Sequence, residues 1–400
     1  MNNRIIYVAF QGIHNGIPQG MNKLIVPLFK EDKNSNSTLF IGYIIGKQSL
    51  QLPNNIKPIG NGGFYFLIRI LSFLNRHLLK KKSFVIRYFS EILFDIILSF
   101  HIKEPTVIIS SAYLYYSQKR NKEKGGFNIL ITGNPDDRDI NALLIKEQKK
   151  YQVEFDDAYT FEKRLNFISK SLNHFDHIVT FSKVTLNSYA KRIPKIKLSK
   201  FDYHIIPNFL VFESKGIVKQ EKLKFCYISH PFWLKGLYFL LEAWSKVNAN
   251  NVELVIGGKI TPDLQGIIDT RFGDLLNVKY LGWVDDINIF YRSSHVAIIP
   301  SLLDAGPTTV SEAMYSGLPV IVSDGCGSSE LVRNAKNGFI VPSGNSTAIA
   351  EKISWFATNP KKIKEMGDNA TKSIEKLAKS NQNEKLAEHI FKVINDLQKQ

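Results

Sequence analysis

Two carboxylates with seven residues between them, Asp304 and Glu312, stand out in PSLLDAGPTTVSEAMYSGLPVIVSDGCGSSELVRNAKNGFIVP, the segment from Pro300 to Pro342. A Gly-Pro-Thr turn lies between them and opens a short helix. Pro307 suits the first helical position, where its missing N–H has no partner to lose. Val310, Ala313 and Met314 make a buried stripe, and Gly317 followed by Pro319 ends the helix. The N–H groups of Thr308 and Thr309, at the positive end of the helix dipole, offer a site to a phosphate or diphosphate. Glu312 falls one turn on, on the face of Thr308, where its carboxylate can accept two hydrogen bonds from a ribose diol. Asp304 lies in the loop before the helix, on the far side of the same helix start. Such a set could hold a sugar and a ribose on either side of a diphosphate. Taken singly, each acid also has a plain structural reading: a cap for Asp304, a solvated helix position for Glu312.

These side chains need a frame that gathers strand ends along one edge. Apolar runs alternate with helical patterns at Ile5–Phe10, Leu39–Ile44, Val107–Ser110, Asn128–Thr132 and His177–Ser182. The rhythm pauses in a polar stretch and resumes at Phe225–Ser229, Val252–Ile256, Val278–Leu281, Val296–Pro300 and Val320–Ser323. Strands alternating with helices imply parallel sheets joined by right-handed crossovers. The expected architecture is therefore α/β, with doubly wound domains over residues 1–207 and 223–380 and a linker at 208–222. Residues 381–400 form a last helix, expected to pack back towards the first domain. In doubly wound sheets ligands bind beyond the carboxyl ends of the strands. In the second half those positions are Ser229-His230, Gly257–Lys259, Gly282-Trp283, Ser301–Thr308 and Asp324–Ser329.

Composition narrows the classes. Hydrophobic residues at 44% and charged residues at 22% are those of an ordinary globular protein. Two cysteines, Cys226 and Cys326, lack metal-ligand spacing and suit a reducing compartment. The apolar run at the start, Ile5–Phe10, is too short for a signal peptide, so a cytoplasmic location is expected. No stretch reaches the roughly 20 apolar residues of a transmembrane helix. Residues 64–100 come nearest, but charges interrupt them, and Phe66, Ile70, Phe73 and Leu74, then Phe84, Tyr88 and Ile92, recur at helical spacing. Two amphipathic helices broken near Lys80–Ser83 are predicted. Their apolar faces either close the first core or rest on an anionic membrane surface, a peripheral attachment at the inner face. The net charge of +16 suits anionic lipids, nucleic acids and phosphorylated ligands alike. Much of it lies in runs such as KEQKKYQ (146–152) and NPKKIKEM (359–366), read as solvated helical faces. No zinc-finger spacing, RNP-type strand or basic zipper region points to nucleic acid.

The string DAGPTTVSEAMYSGLPVIVSD resembles the donor-site signature of the retaining GT-B glycosyltransferases of family 4. Further stretches resemble the same family in order: HIVTFSKVTLNSYAK, HIIPN, SHPFWLKGLYFLLEAW, VELVIGG, VKYLGWVDDINIFYRSSHVAIIPS and GFIVPSGN. Over residues 1–170 the likeness is one of fold only. The resemblance implies a GT-B fold and a nucleotide-sugar donor, with a saccharide or lipid-linked saccharide as acceptor. It implies that Glu312 binds the ribose, that Asp304 contacts hydroxyls of the transferred sugar and that Lys235 neutralises the diphosphate. Backbone groups of Gly306 and Thr308 would hold phosphates and sugar, Gly282 and Val284 would cradle the base, and Gly20 would let a first-domain loop approach the diphosphate. Three positions depart from the family. His230 stands where an Arg is common, Asp304 where Glu is usual, and Asn134, in ITGNPDD, where many members carry a His near the reacting carbon. Asn134, Asp136 and Asp137 either face the acceptor or form an Asx turn.

The implied reaction transfers a sugar to an acceptor hydroxyl with retention at the anomeric carbon, in cell-surface polysaccharide or glycolipid synthesis. Its main need is stabilisation of the departing diphosphate, which Lys235, His230 and the helix start at Thr308 would supply without a metal or other cofactor. No Asp-x-Asp sits at a suitable strand end, and the adjacent pair Asp285-Asp286 reads as a turn. The departures at His230, Asp304 and Asn134 motivate an alternative, a donor-binding but catalytically weak partner subunit of a glycosylation complex. A third reading, a basic nucleic-acid-binding protein, predicts strongly salt-dependent binding.

Overall fold

The computed structural model describes residues 4–399 except 11–12, 15–16, 19–21, 34–35, 46–54, 76, 78–82, 155–156, 206–221, 230–232, 248–249 and 261. The first half begins with β1 (Ile5–Ala9), β2 (Ile13–His14), β3 (Ile17–Pro18), α1 (Asn22–Glu31), β4 (Thr38–Ile41), β5 (Ile44–Ile45) and β6 (Ile56–Pro58). It continues through α2 (Gly63–Leu74), α3 (Ser83–Ser99), β7 (Val107–Ser110), α4 (Tyr115–Glu123), β8 (Phe127–Thr132), α5 (Asp137–Tyr151), α6 (Glu162–Leu172), β9 (His177–Thr180), α7 (Lys183–Arg192) and β10 (Lys197–Lys200). The second half opens with β11 (Leu223–Ile228), α8 (Leu237–Trp244), β12 (Val252–Gly257), α9 (Pro262–Phe272), β13 (Val278–Gly282), α10 (Ile287–Arg292) and β14 (Val296–Ile299). It closes with α11 (Thr308–Tyr315), β15 (Val320–Ser323), β16 (Gly338–Val341), α12 (Ser346–Thr358), α13 (Lys361–Ala378) and α14 (Gln382–Gln398).

Two parallel sheets result, ordered β10-β9-β8-β7-β1-β4-β6 and β13-β12-β11-β14-β15-β16, beside a small three-stranded sheet β3-β2-β5. Strands β1, β7, β12, β14 and β15 are buried at every position, which is why they read as predominantly apolar runs, with Glu253 the one charge within them. Successive side chains still take opposite faces. Tyr7 and Ile109 join the core under α1, while Ile6, Val8 and Ile108 meet Phe64, Phe94 and Leu98 on the other face. The expected strand Leu39–Ile44 stops at Ile41, and Ile44–Ile45 pairs instead with Ile13–His14. Two strands carry no clear apolar signal, β6, only IKP, and β10, the polar KLSK; β16, the apolar GFIV at the edge of the second sheet, adds a strand beyond those expected.

Three features relate the domains. Helix α14 packs Leu386, Ile390, Val393 and Leu397 into the first core, against α1 and β1. Helix α5 turns Ile140 and Leu144 into the core of the second domain, and its last residue, Tyr151, meets the rings of Trp233 and Tyr238 at 5.7 and 4.7 Å. The Arg271 guanidinium then donates to the Tyr151 carbonyl at 2.8 Å and to the Tyr238 hydroxyl at 2.9 Å. On another side, Glu330 of the second domain accepts from the Lys183 backbone N–H and from the Lys200 ammonium. Most of the expected 208–222 linker lies outside the described residues.

The α14 contact also carries a titratable pair. Ser199 Oγ lies 2.9 Å from Nε2 of both His177 and His389; its single O–H can be donated to only one ring, which must then be a neutral imidazole, while the other ring donates to the hydroxyl. Burial, with a smaller contribution from the His389 charge, pushes His177 down to about 4, and burial also lowers His389. A depressed folded-state value means that this stabilisation is complete above the unfolded value of about 6.5 and is lost as pH falls towards the folded one. The melting temperature should therefore drop as the buffer is taken from pH 7 to pH 4.5, with a shallower drop in His177→Gln. Identical profiles for the two proteins would contradict this assignment.

Candidate functional site

The site grows from three loops at the carboxyl edge of the second sheet. After β11 the chain makes a short 3-10 turn, Trp233–Lys235, and reverses at Gly236, whose φ of 75° disfavours a side chain. A Cβ at Gly236 would stand 2.0 Å from the Pro300 carbonyl oxygen. That approach lets the Leu302 N–H donate to the Leu234 carbonyl at 2.7 Å, binding the first loop to the one after β14. The third loop, after β15, is laced to the second by backbone bonds from Asp304 N–H to Gly325 and from Gly327 N–H to Asp304, 2.9 and 3.0 Å.

This lacing brings Lys235 and Asp304 together. The Lys235 ammonium donates to the Asp304 carboxylate, whose side chain is 9% exposed against 29% for the lysine. Helix α11 starts beside them. Pro307 is its N-cap rather than its first residue, with an extended ψ of 133°, so Thr308 opens the helix. The first-turn N–H groups of a helix have no partner within it, and here they sit at the edge that Asp304 occupies. Glu312 is 8% exposed, and its Oε2 accepts from the Tyr291 hydroxyl at 3.1 Å. Burial, reinforced by the Glu312 charge, holds the Tyr291 phenol well above its ordinary value. Tyr291 therefore stays a donor and fixes the orientation of the carboxylate. It lies within IFYRSSH, where the sequence alone gives it no role; an aromatic five residues before a strand signals packing first.

Gly282, with φ of 66°, ends β13, and its carbonyl accepts from Gly258 N–H at 2.6 Å. The Val284 side chain covers Gly257, since a Cβ built there would lie 2.8 Å from Val284 Cγ2. Gly282 and Val284 thus form a wall two strands away from Lys235. Asp286 caps α10 by accepting from the N–H groups of Asn288 and Ile289.

From the first domain, Asn134 is exposed after β8, with its backbone held by Thr132. It lines a cavity of about 150 Å³ between the domains together with Tyr203, Gly306, Thr308, Ser311 and Ser328. Asp136 and Asp137 turn away from it. Asp136 caps α5 and pairs with Arg138, while Asp137 pairs with Arg164 and is pushed up by burial. Asn134, Gly306 and Thr308 share this cavity, whereas Lys235, Asp304 and Glu312 are not among its lining residues. His230 and Gly20 lie outside the described residues. Among the described residues no cluster of three or more His, Cys, Asp or Glu is placed to hold a metal ion.

Residues 212–373 match the family model of Glycosyl transferases group 1, so the chain carries a domain of that family. A Haemophilus influenzae protein named only as an uncharacterized glycosyltransferase is 27% identical over 220 residues, which cover 52% of this chain and 61% of the relative. The Escherichia coli UDP-Gal:alpha-D-GlcNAc-diphosphoundecaprenol alpha-1,3-galactosyltransferase is 28% identical over 204 residues, 46% of this chain and 52% of the relative. The matches thus span little more than half the length of these curated relatives. Sucrose-phosphate synthase from Thermosynechococcus elongatus superposes with a TM-score of 0.66 at 15% identity, over 98% of this chain and 99% of that one. The fold is GT-B: two Rossmann-like domains of parallel sheet.

The lacing of the loops can be tested on its glycines. Gly236→Ala forces both an unfavourable φ and a carbonyl clash, and should cost about 1–3 kcal/mol of stability. Gly266→Ala, within α9 and with nothing inside 4 Å of its Cβ, should instead gain about 0.5–1 kcal/mol. Denaturant midpoints of the two variants, read against wild type, check both signs.

Proposed function

We propose that the chain is a glycosyltransferase that moves a sugar from a nucleoside diphosphate sugar to an acceptor hydroxyl, with retention and without a bound metal. The biological setting is the synthesis of a cell-surface polysaccharide or glycolipid. One observation carries this reading: Lys235, Asp304 and the start of α11 converge on one strand-end edge, one helical turn from the buried, oriented carboxylate of Glu312. An ammonium and a helix N-terminus are what a departing diphosphate needs, because both place positive charge where negative charge grows. Glu312 takes the ribose diol, and Asp304 takes sugar hydroxyls while Lys235 turns from it to the diphosphate. Asn134, on the opposing domain, faces the acceptor side. The domain match and the activity for which the Escherichia coli relative is named, a UDP-Gal-dependent galactosyltransferase, support the same donor class.

A thermal-shift panel of UDP-, GDP- and ADP-sugars tests the donor site. A donor present at a hundred times its Kd should stabilise by about 2.7 kcal/mol, and Glu312→Ala should abolish that shift. Lys235→Ala should retain the fold and lose about 10²–10³ in turnover, with wild-type turnover unchanged by EDTA. No shift with any donor would remove the reading, and binding without turnover would favour the partner-subunit alternative.

A second surface bears on where the acceptor lies. Helix α2 directs Phe64 inward but leaves Phe66 and Phe73 66% and 63% exposed, with Leu67 and Ile70 also exposed on the same stripe. Arg69 lies between them, and Arg76, Lys80, Lys81 and Lys82 follow in the chain, outside the described residues. Among the described residues no helix is long and apolar enough to cross a membrane. An apolar stripe beside cations fits the plane of an anionic bilayer, where the two attractions add. The protein should sediment with phosphatidylcholine vesicles that contain phosphatidylglycerol and not with phosphatidylcholine alone. Phe66→Ser combined with Phe73→Ser should lose this; equal sedimentation of variant and wild type would dismiss the surface.

A further inference from the structure

Helix α5 breaks its own pattern. Its buried face runs Ile140, Leu144, Glu147, at the three- and four-residue spacing of a packing stripe, and Ile140 and Leu144 enter the core of the second domain. The third position carries a carboxylate. Glu147 is 6% exposed, so it departs from the solvated face that KEQKKYQ suggests, and its Oε2 has no hydrogen-bond partner among the described residues. Burial pushes its carboxyl up, against the opposing pull of Lys150 and Lys146. A leucine there would extend the stripe, so a buried acid with an unpartnered oxygen is a local cost without a structural return.

Glu147 lines a groove of about 1180 Å³ between the domains. One wall is α5 and the other α7, with Phe239, Leu302 and Leu303 contributing from the second domain; Leu303 directly precedes Asp304. Lys146, Lys150, Lys191 and Arg192 also line it, against only two acids, Asp139 and Glu147. Arg192 is engaged by Asp139 at 2.8 Å, and the Lys150 ammonium lies 4.7 Å from the centre of the Tyr151 ring. Lys146 and Lys191 remain as exposed cations on the two walls.

We propose that this groove is a saccharide subsite for the acceptor, in which Glu147 accepts hydrogen bonds from sugar hydroxyls and Lys146 and Lys191 hold an anionic substituent such as phosphate. An apolar side for the C–H face of a sugar, a carboxylate for its hydroxyls and a cationic rim together fit a charged, polyhydroxylated ligand. The assignment to the acceptor rests on the glycosyl-transfer reading; the saccharide site itself does not.

The test uses N-acetylglucosaminyl diphosphate carried on farnesol, which presents both hydroxyls and a diphosphate, with binding measured by calorimetry on the full chain. Wild-type protein should bind it, and Glu147→Gln should weaken binding about ten- to a hundredfold, the loss expected for one charged hydrogen bond. Lys191→Glu should weaken binding and flatten its dependence on salt. Glu147→Leu should not bind the probe, yet melt at or above the wild-type temperature, because it completes the apolar stripe. No binding by wild type, or unchanged affinity in Glu147→Gln, overturns the proposal. So does a lower melting temperature in Glu147→Leu with probe affinity retained, which would assign Glu147 to domain packing. The donor panel separates the two readings: nucleotide-sugar binding without probe binding removes the groove alone. Glu147-dependent probe binding without any donor shift removes the transfer reading and keeps the saccharide site.

Discussion

The second domain can assemble its strand-end edge only where three backbones pass each other without side chains. Cβ atoms at Gly236, Gly325 and Gly327 would fall 2.0, 2.1 and 1.9 Å from the carbonyl oxygens of Pro300, Leu302 and Ala305. Real atoms cannot approach so closely, so each position excludes every residue but glycine unless a loop moves. The loops after β11, β14 and β15 are therefore held as one piece, and the position of each functional group follows. Lys235 is placed by the turn that Gly236 closes. Asp304 is placed by the bonds it exchanges with Gly325 and Gly327. The start of α11 is placed by the same loop four residues later.

Around this edge the two domains divide the work unequally. The second provides fixed charge and a buried, oriented carboxylate, whereas the first contributes Asn134 and the α5 and α7 walls. Their contact is of two kinds. Tyr151 against Trp233 and Tyr238 is broad and apolar, and Glu330 with Lys200 is narrow and charged.

Much of the fold was legible because parallel strands covered on both faces leave uninterrupted apolar runs, as at IIYVA and VAII. Helix α11 was legible for a similar reason: Val310, Ala313 and Met314 are fully buried, at the spacing the sequence shows. What escaped lies where tertiary context outweighs local pattern. The KLSK of β10 pairs on one side only and is partly exposed, so it has no apolar signature. Pro307 shifted outward by one position because its ψ remains extended. Glu147 reads as one more charge in a run of lysines, and only the packing of α5 on the second domain buries it. Tyr291 reads as core, which it is; its hydroxyl gains meaning only from Glu312, 21 residues along the chain.

Helix α14 has a consequence of another kind. It follows every other described element in sequence, and it covers β1, which precedes them. Until residue 397 is available, Tyr7, Ile25 and Ile109 lack one side of their core, so the leading domain cannot complete itself while the trailing one is being synthesised. The order of maturation is thus opposite to the order of synthesis. The second domain can close first, and the first must wait, partly open, for α14.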